Sequence, residues 1–222
     1  MSAVPAEVEP GTPGGVYGPG AVYGGAIRLV RLYLASRRAA FALAAVIALA
    51  GGLRFAMIWH WDSYGALQLP LVFETGCATV IAATSASAFG EQERAAGSWL
   101  PALRFGATLG LTVVALAALA TAGLGTHMAG GMSGEVRNLA GAVGLGLLSA
   151  AACGGGLAWI GPAGYLVVAA YALYGLWHGG GPSTPWMWPA RPQADLGAWL
   201  CAAVVFAAGM TVITVRGARN SA

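Results

Sequence analysis

The chain has no lysine: all eleven of its basic residues are arginine, they face eight acids, and charged residues fill only 9% of its 222 positions. Soluble domains run at about a quarter charged residues, so an ordinary water-exposed fold is excluded. Without lysine there is no Walker A phosphate loop, no Schiff-base lysine and no lysine general base, and the chain does not hydrolyse ATP by itself in the usual way. Cysteine is scarce as well. Cys77, Cys153 and Cys201 stand singly, with no C-x-x-C spacing, which argues for small packing residues rather than a disulfide framework or a zinc site.

Apolar residues fill the chain instead, at 58% with a mean hydropathy of +0.70. At roughly 20 residues per spanning helix, this length accommodates about six spans and leaves no room for a soluble catalytic domain. The net charge of +3 does not point to nucleic acid, because the arginines flank apolar runs as topology determinants do.

Residues 1–26 are rich in Pro, Gly and small side chains, carry Glu7 and Glu9, and hold too little apolar surface to fold alone. They are expected to form a disordered cytoplasmic tail. Acids and prolines stand where a secretory leader needs bases, so the amino terminus is expected to be retained. Residues 27–222 form the expected six-helix transmembrane domain, with spans near 39–59, 67–89, 105–124, 139–160, 162–177 and 196–215.

With the amino terminus inside, Arg28, Arg31, Arg37, Arg38, Arg94, Arg104, Arg216 and Arg219 are cytoplasmic, and only Arg54, Arg137 and Arg191 lie on the outer half. The positive-inside rule then puts both ends in the cytoplasm. Trp59, Trp61, Trp177, Trp186 and Trp188 gather at the outer boundaries as interfacial anchors. The expected fold is thus all-α, a multi-pass protein of the plasma membrane, and exclusive use of arginine with abundant Ala and Gly fits a high-GC bacterial genome.

Between the fifth and sixth spans, residues 179–195 contain Pro182, Pro185, Pro189 and Pro192 around Trp186-Met187-Trp188. Prolines forbid a regular helix, but the apolar weight suits a re-entrant or interfacial hairpin on the outer side. Gly141, Gly144 and Gly146, and Gly154 to Gly156, lack the strand context of a nucleotide loop and are read as sites of close helix packing.

The most informative stretch is the inner loop Phe89-Gly-Glu-Gln-Glu-Arg-Ala-Ala-Gly-Ser-Trp-Leu-Pro-Ala-Leu-Arg104. Glu91, Glu93 and Arg94 ionise in water while Trp99 and Leu100 lie against the membrane, a pattern for a short surface helix that a cytoplasmic partner grips. The bland alternative is a solvated connector.

This loop resembles the Glu-x-Glu-Arg-x-x-Gly-Thr loop, followed by a proline, of permease subunits in six-helix bacterial ABC exporters, with Ser98 in place of threonine and Pro101 arriving early. The resemblance implies that Glu91, Glu93, Arg94, Gly97 and Ser98 form a coupling helix docking on a separate ATP-binding subunit, which carries the ATP and Mg. It also implies a second permease copy or homologue facing the first, and no cofactor in this chain. The resemblance covers about a dozen residues, together with the six-span layout and outer hairpin. The nearly uncharged loop between the fourth and fifth spans departs from the family and puts a second docking contact in doubt.

Arg54, near the outer end of span one, and Glu74, inside span two, fall at similar depths on antiparallel neighbours. A lone ion in hydrocarbon is costly, so an ion pair between them is expected, with a polar lining of a substrate path or a proton-responsive carboxylate as the functional alternative. His60, His127 and His178 stand at outer span ends near Met57, Met128, Met132 and Met187, a copper-like donor set, but ordinary interfacial histidines explain them as well and no metal is expected.

Gly131-Met-Ser-Gly134 resembles the Gly-x-Ser-Gly of rhomboid intramembrane proteases. Those place a histidine in the sixth span, and residues 196–215 have none, so Ser133 lacks its base. Glu135 and Arg137 are read as drawing that serine towards water. The sequence therefore leads to the membrane-spanning subunit of a transporter rather than an enzyme. A non-transporting accessory or assembly protein is the competing class.

Overall fold

A computed structural model describes residues 38–59, 63–85, 100–124, 131–179 and 184–218, the side chains of 63–67 excepted. Six helices appear among them: α1 (Ala39–Ile58), α2 (Ser63–Ala83), α3 (Leu100–Gly123), α4 (Gly131–Cys153), α5 (Ile160–Trp177) and α6 (Leu196–Arg216). No strand occurs among the described residues. The tail expected at 1–26 and the inner loop at 86–99 lie outside them.

Five helical stretches are long and apolar enough to cross a bilayer: α1, α3, α4, α6, and α5 with the 3-10 turn before it; α2 contributes a shorter apolar stretch, Gln68–Ala83. Their outward surface is a coat of large apolar side chains. Phe41, Phe55, Val167, Tyr171, Val204 and Val215 are each more than 60% exposed. Such a surface has no place in water beyond a few hundred square ångströms, and the protein is built for a membrane.

Neighbouring side chains fix the direction of each helix. Gly76 meets Leu49 and Gly52 meets Phe73, so α1 and α2 run antiparallel. Gly146 meets Ala78 and Ala82, and Gly144 meets Val205 and Phe206, so α4 runs parallel to both α2 and α6. Leu145 and Ser149 face Gly161 at the start of α5, which is therefore antiparallel to α4. Arg54 near the end of α1 reaches the end of α3, while Arg104 near its start lies against Gly217 after α6. Successive helices thus alternate, and the start of α1 and the end of α6 lie at one end of the bundle.

The core is made of small and branched residues. Val46, Leu53, Ala78, Ile81, Leu119, Leu139, Val143, Leu147 and Ile213 are buried together. The most extensive contact is α4 on α6, where a Cβ on Gly144 would lie 2.6 Å from the Val205 backbone and one on Gly209 would lie 2.6 Å from the Gly144 carbonyl. Close backbone approach through glycine is how apolar helices gain packing contacts when lipid removes the hydrophobic drive. Close helix packing at Gly141, Gly144 and Gly146 is thus as expected.

Helix boundaries depart from the sequence expectation at α2, which runs Ser63–Ala83 against the expected 67–89, and at α3 and α4. α4 starts at Gly131, eight residues before the expected span, because Glu135, Arg137 and Asn138 are taken into the helix rather than left in a loop. It stops at Gly154, whose φ of 96° is a left-handed conformation that glycine adopts without strain, so Gly154 to Gly156 form the break between α4 and α5 and not a packing stripe. α3 begins at Leu100, with Pro101 in its first turn, where proline's missing N–H is harmless.

Candidate polar site beneath the outer hairpin

Residues 184–195 fold back into the bundle at the end where α4 and α6 begin. Trp188 is 2% exposed and stacks on Tyr165 of α5, ring centroids 4.3 Å apart. Its indole fills the space left by Gly141, where any Cβ would overlap the ring. Gly141 lies ten residues into α4, which at 1.5 Å per residue is about 15 Å along the helix, so the hairpin reaches well into the apolar bundle. Ala198 and Ala202 of α6 complete the pocket.

α4 anchors this hairpin. Arg137, 2% exposed, donates from Nη1 to the Pro192 carbonyl at 2.8 Å and from Nη2 to the Arg191 carbonyl at 3.2 Å. Tyr165 donates its hydroxyl to the Trp186 carbonyl at 2.8 Å. Asp195 caps α6 by accepting from the Ala198 N–H at 2.9 Å and pairs with the Arg191 guanidinium one turn before it. Those two partners, the Ala198 N–H first, hold the Asp195 carboxyl below its ordinary range.

Beside Arg137 lies a buried polar cluster. Glu74 of α2 is 1% exposed, and its carboxylate accepts from the Asn138 side chain of α4 and faces Glu135 and Arg137 of the same helix. Glu135 and Asn138 share one face of α4 three residues apart. Four atoms here are buried without a hydrogen-bond partner: Glu74 Oε2, Glu135 Oε1, Asn138 Oδ1 and Arg137 Nε. Native interiors leave few such atoms, and four on Glu74 and the three side chains it interacts with mark a site.

The expected Arg54–Glu74 pair does not form. Arg54 lies two residues beyond Gly52, about 200° further round α1, so it turns away from α2. It donates instead to the Leu124 and Ala122 carbonyls at the end of α3, at 2.5 and 3.4 Å. The cation near Glu74 among the described residues is Arg137, which is expected outside the spans on the outer half and lies within α4.

Glu91, Glu93, Arg94, Gly97 and Ser98 lie outside the described residues, as do His60 and His127. His178 is exposed after α5, with Nδ1 2.8 Å from the Tyr174 carbonyl. No group of three or more His, Cys, Asp or Glu suited to a metal occurs among the described residues. Ser133 is exposed in the first turn of α4, and its hydroxyl donates to Gln193 Oε1 at 3.3 Å, an amide oxygen with no capacity as a general base. Glu135 and Arg137 do not draw Ser133 towards water, since both are buried. Cys77 is a buried core residue, whereas Cys153 is exposed and Cys201 half-buried, so the packing role expected of all three holds fully only for Cys77.

Comparison with protein families, curated proteins and solved structures returns no match. The class that the fold defines is a multi-pass bundle of α-helices built for a membrane.

Proposed function

We propose that the chain is the membrane-spanning permease subunit of a bacterial ABC transporter, moving substrate while a separate ATP-binding subunit hydrolyses ATP. The loop Glu91-Gln-Glu-Arg-Ala-Ala-Gly-Ser98 supports this reading by its resemblance to a coupling helix. The observation that carries it is positional. α2 ends and α3 begins at the end of the bundle opposite the hairpin of residues 184–195.

In this reading the arginine-rich end is cytoplasmic in the plasma membrane and Glu91, Glu93 and Arg94 meet the ATP-binding subunit. Closure of that subunit on ATP rocks α2 and α3, and a second permease copy or homologue supplies the other wall of the path. Trp188 and the hairpin close the outer end.

The test is isolation of the protein from its own cells in mild detergent, with and without prior crosslinking, and identification of what remains bound. An ATP-binding subunit is expected to co-purify and to be lost on Glu93→Ala while the helical content of the variant is unchanged. If no such subunit is recovered even after crosslinking, the transporter reading fails and the accessory-protein class takes its place.

A further inference from the structure

The cluster under the hairpin is short of one positive charge. Glu74 and Glu135 contribute two negative charges and Arg137 one positive, a formal sum of −1 within a bundle whose surroundings are apolar. Three of the four orphaned atoms, Glu74 Oε2, Glu135 Oε1 and Asn138 Oδ1, are oxygens that accept and cannot all be satisfied by one another. Arg137 does not supply the missing charge, because both its Nη atoms are committed to hairpin carbonyls.

The other charged and titratable groups near the cluster among the described residues do not supply it either. Arg191 is paired with Asp195 across the hairpin. Cys77, one turn beyond Glu74 on α2, and Tyr165 on α5 are neutral donors. Arg54 is turned to the end of α3.

We propose that Glu74, Glu135 and Asn138 form a binding site for one exchangeable monovalent positive charge, taken up from solution as a proton or as an alkali-metal ion. Either form neutralises the cluster. A proton on Glu74 Oε2 donates to Glu135 Oε1 or Asn138 Oδ1, and an alkali ion takes all three oxygens as hard ligands. The hairpin is anchored beside it, since the backbone carbonyls of Arg191 and Pro192 accept from Arg137, one of the two residues between Glu135 and Asn138. This inference does not rest on the transporter reading, since it concerns a site within one chain.

Labelling with dicyclohexylcarbodiimide tests it, because this apolar reagent enters membrane proteins and modifies carboxyl groups only in their protonated, metal-free form. Purified protein in detergent is treated over a range of pH in choline chloride, then in sodium, potassium or lithium chloride of equal strength, and the modified residue is located by peptide mass spectrometry. Modification of Glu74 is expected, and to vanish in Glu74→Gln. Above the titration midpoint it falls about tenfold per pH unit.

Protection by one alkali ion and not by choline identifies the metal form; a pH response alone identifies the proton form. Glu135→Gln removes the excess negative charge, so its midpoint is expected to move to lower pH; this variant keeps the size of the side chain, and its helical content by circular dichroism checks that it folds. An unlabelled Glu74 at every pH, or a labelling profile that Glu135→Gln leaves in place, overturns the proposal.

Discussion

The Trp188–Gly141 contact makes a demand that a double-mutant cycle measures. Trp188→Ala removes a side chain that is 2% exposed and stacked on Tyr165. Large-to-small core changes at tryptophan cost about 3–5 kcal/mol in water-soluble proteins. Within a bilayer the transfer part shrinks, because an undocked indole finds lipid rather than water, while the lost packing and the aromatic pair, about 0.5–1.5 kcal/mol, remain. The expectation is therefore about 3 kcal/mol, or about 6–12 °C in the unfolding midpoint for a chain of this size.

Gly141→Ala acts on the same contact from the other side. Its Cβ would overlap the indole, and overpacking of this kind costs about 1–3 kcal/mol. With Trp188 already reduced to alanine the obstacle is gone, and glycine-to-alanine in a helix then stabilises by up to about 1 kcal/mol. Thermal unfolding in one detergent, followed by circular dichroism, should show Gly141→Ala destabilising in the parent and neutral or stabilising in the Trp188→Ala background. Costs that add to within about 0.5 kcal/mol would refute the seating of Trp188 on α4.

Two further outcomes follow from the packing and the hairpin charges. Gly144→Ala, whose Cβ meets the backbone of α6 at 2.6 Å, should cost about 3 kcal/mol or more, while Gly51→Ala, with nothing within 4 Å, should be neutral or slightly stabilising; thermal unfolding separates the two. Asp195 has a folded-state pKa below its unfolded value, about 3.9, so its contribution to stability is complete above that value and is lost as pH falls through the lower, folded one. Asp195→Ala should lower the midpoint at neutral pH and should remove the part of the acid-induced loss below about pH 4 that this group causes, measured as midpoint against pH in both proteins.

Much of the fold was legible because apolar runs separated by arginine, proline and tryptophan are the direct imprint of a bilayer. α1, α5 and α6 fall within two residues of the expected spans at both ends. What escaped is at α4. Glu135-Val-Arg-Asn138 reads locally as polar connector, yet a helix accepts it when another element supplies partners, here the Arg191 and Pro192 carbonyls and Glu74. Those partners lie more than fifty residues away along the chain, and no local pattern contains them. For the same reason Glu74 was matched with Arg54, the nearest cation in sequence at similar depth, whereas the angle round α1 sends Arg54 to α3. A signal for the site did exist: two acids, an arginine and an asparagine inside otherwise apolar helices are expensive and point to function.

The hairpin explains why α4 keeps those costly residues. Non-helical backbone within an apolar bundle is tolerated only where its polar groups find protein partners. Turn bonds inside the hairpin serve the carbonyls of Thr184, Met187 and Trp188, which accept from the N–H groups of Met187, Ala190 and Arg191. Side chains outside it serve others: Tyr165 takes Trp186, Arg137 takes Arg191 and Pro192, and the Trp199 indole N–H takes Gln193 at 2.9 Å. Arg137 therefore does for the hairpin what water does for a surface loop. A buried guanidinium in turn requires negative charge close by, and Glu74 and Glu135 meet that need, with one charge to spare. Replacing Arg137 by an apolar residue would thus remove two effects at once, the hairpin's anchor and the cluster's one cation among the described residues, which is why the polar residues of α2 and α4 and the fold of residues 184–195 form one physical unit.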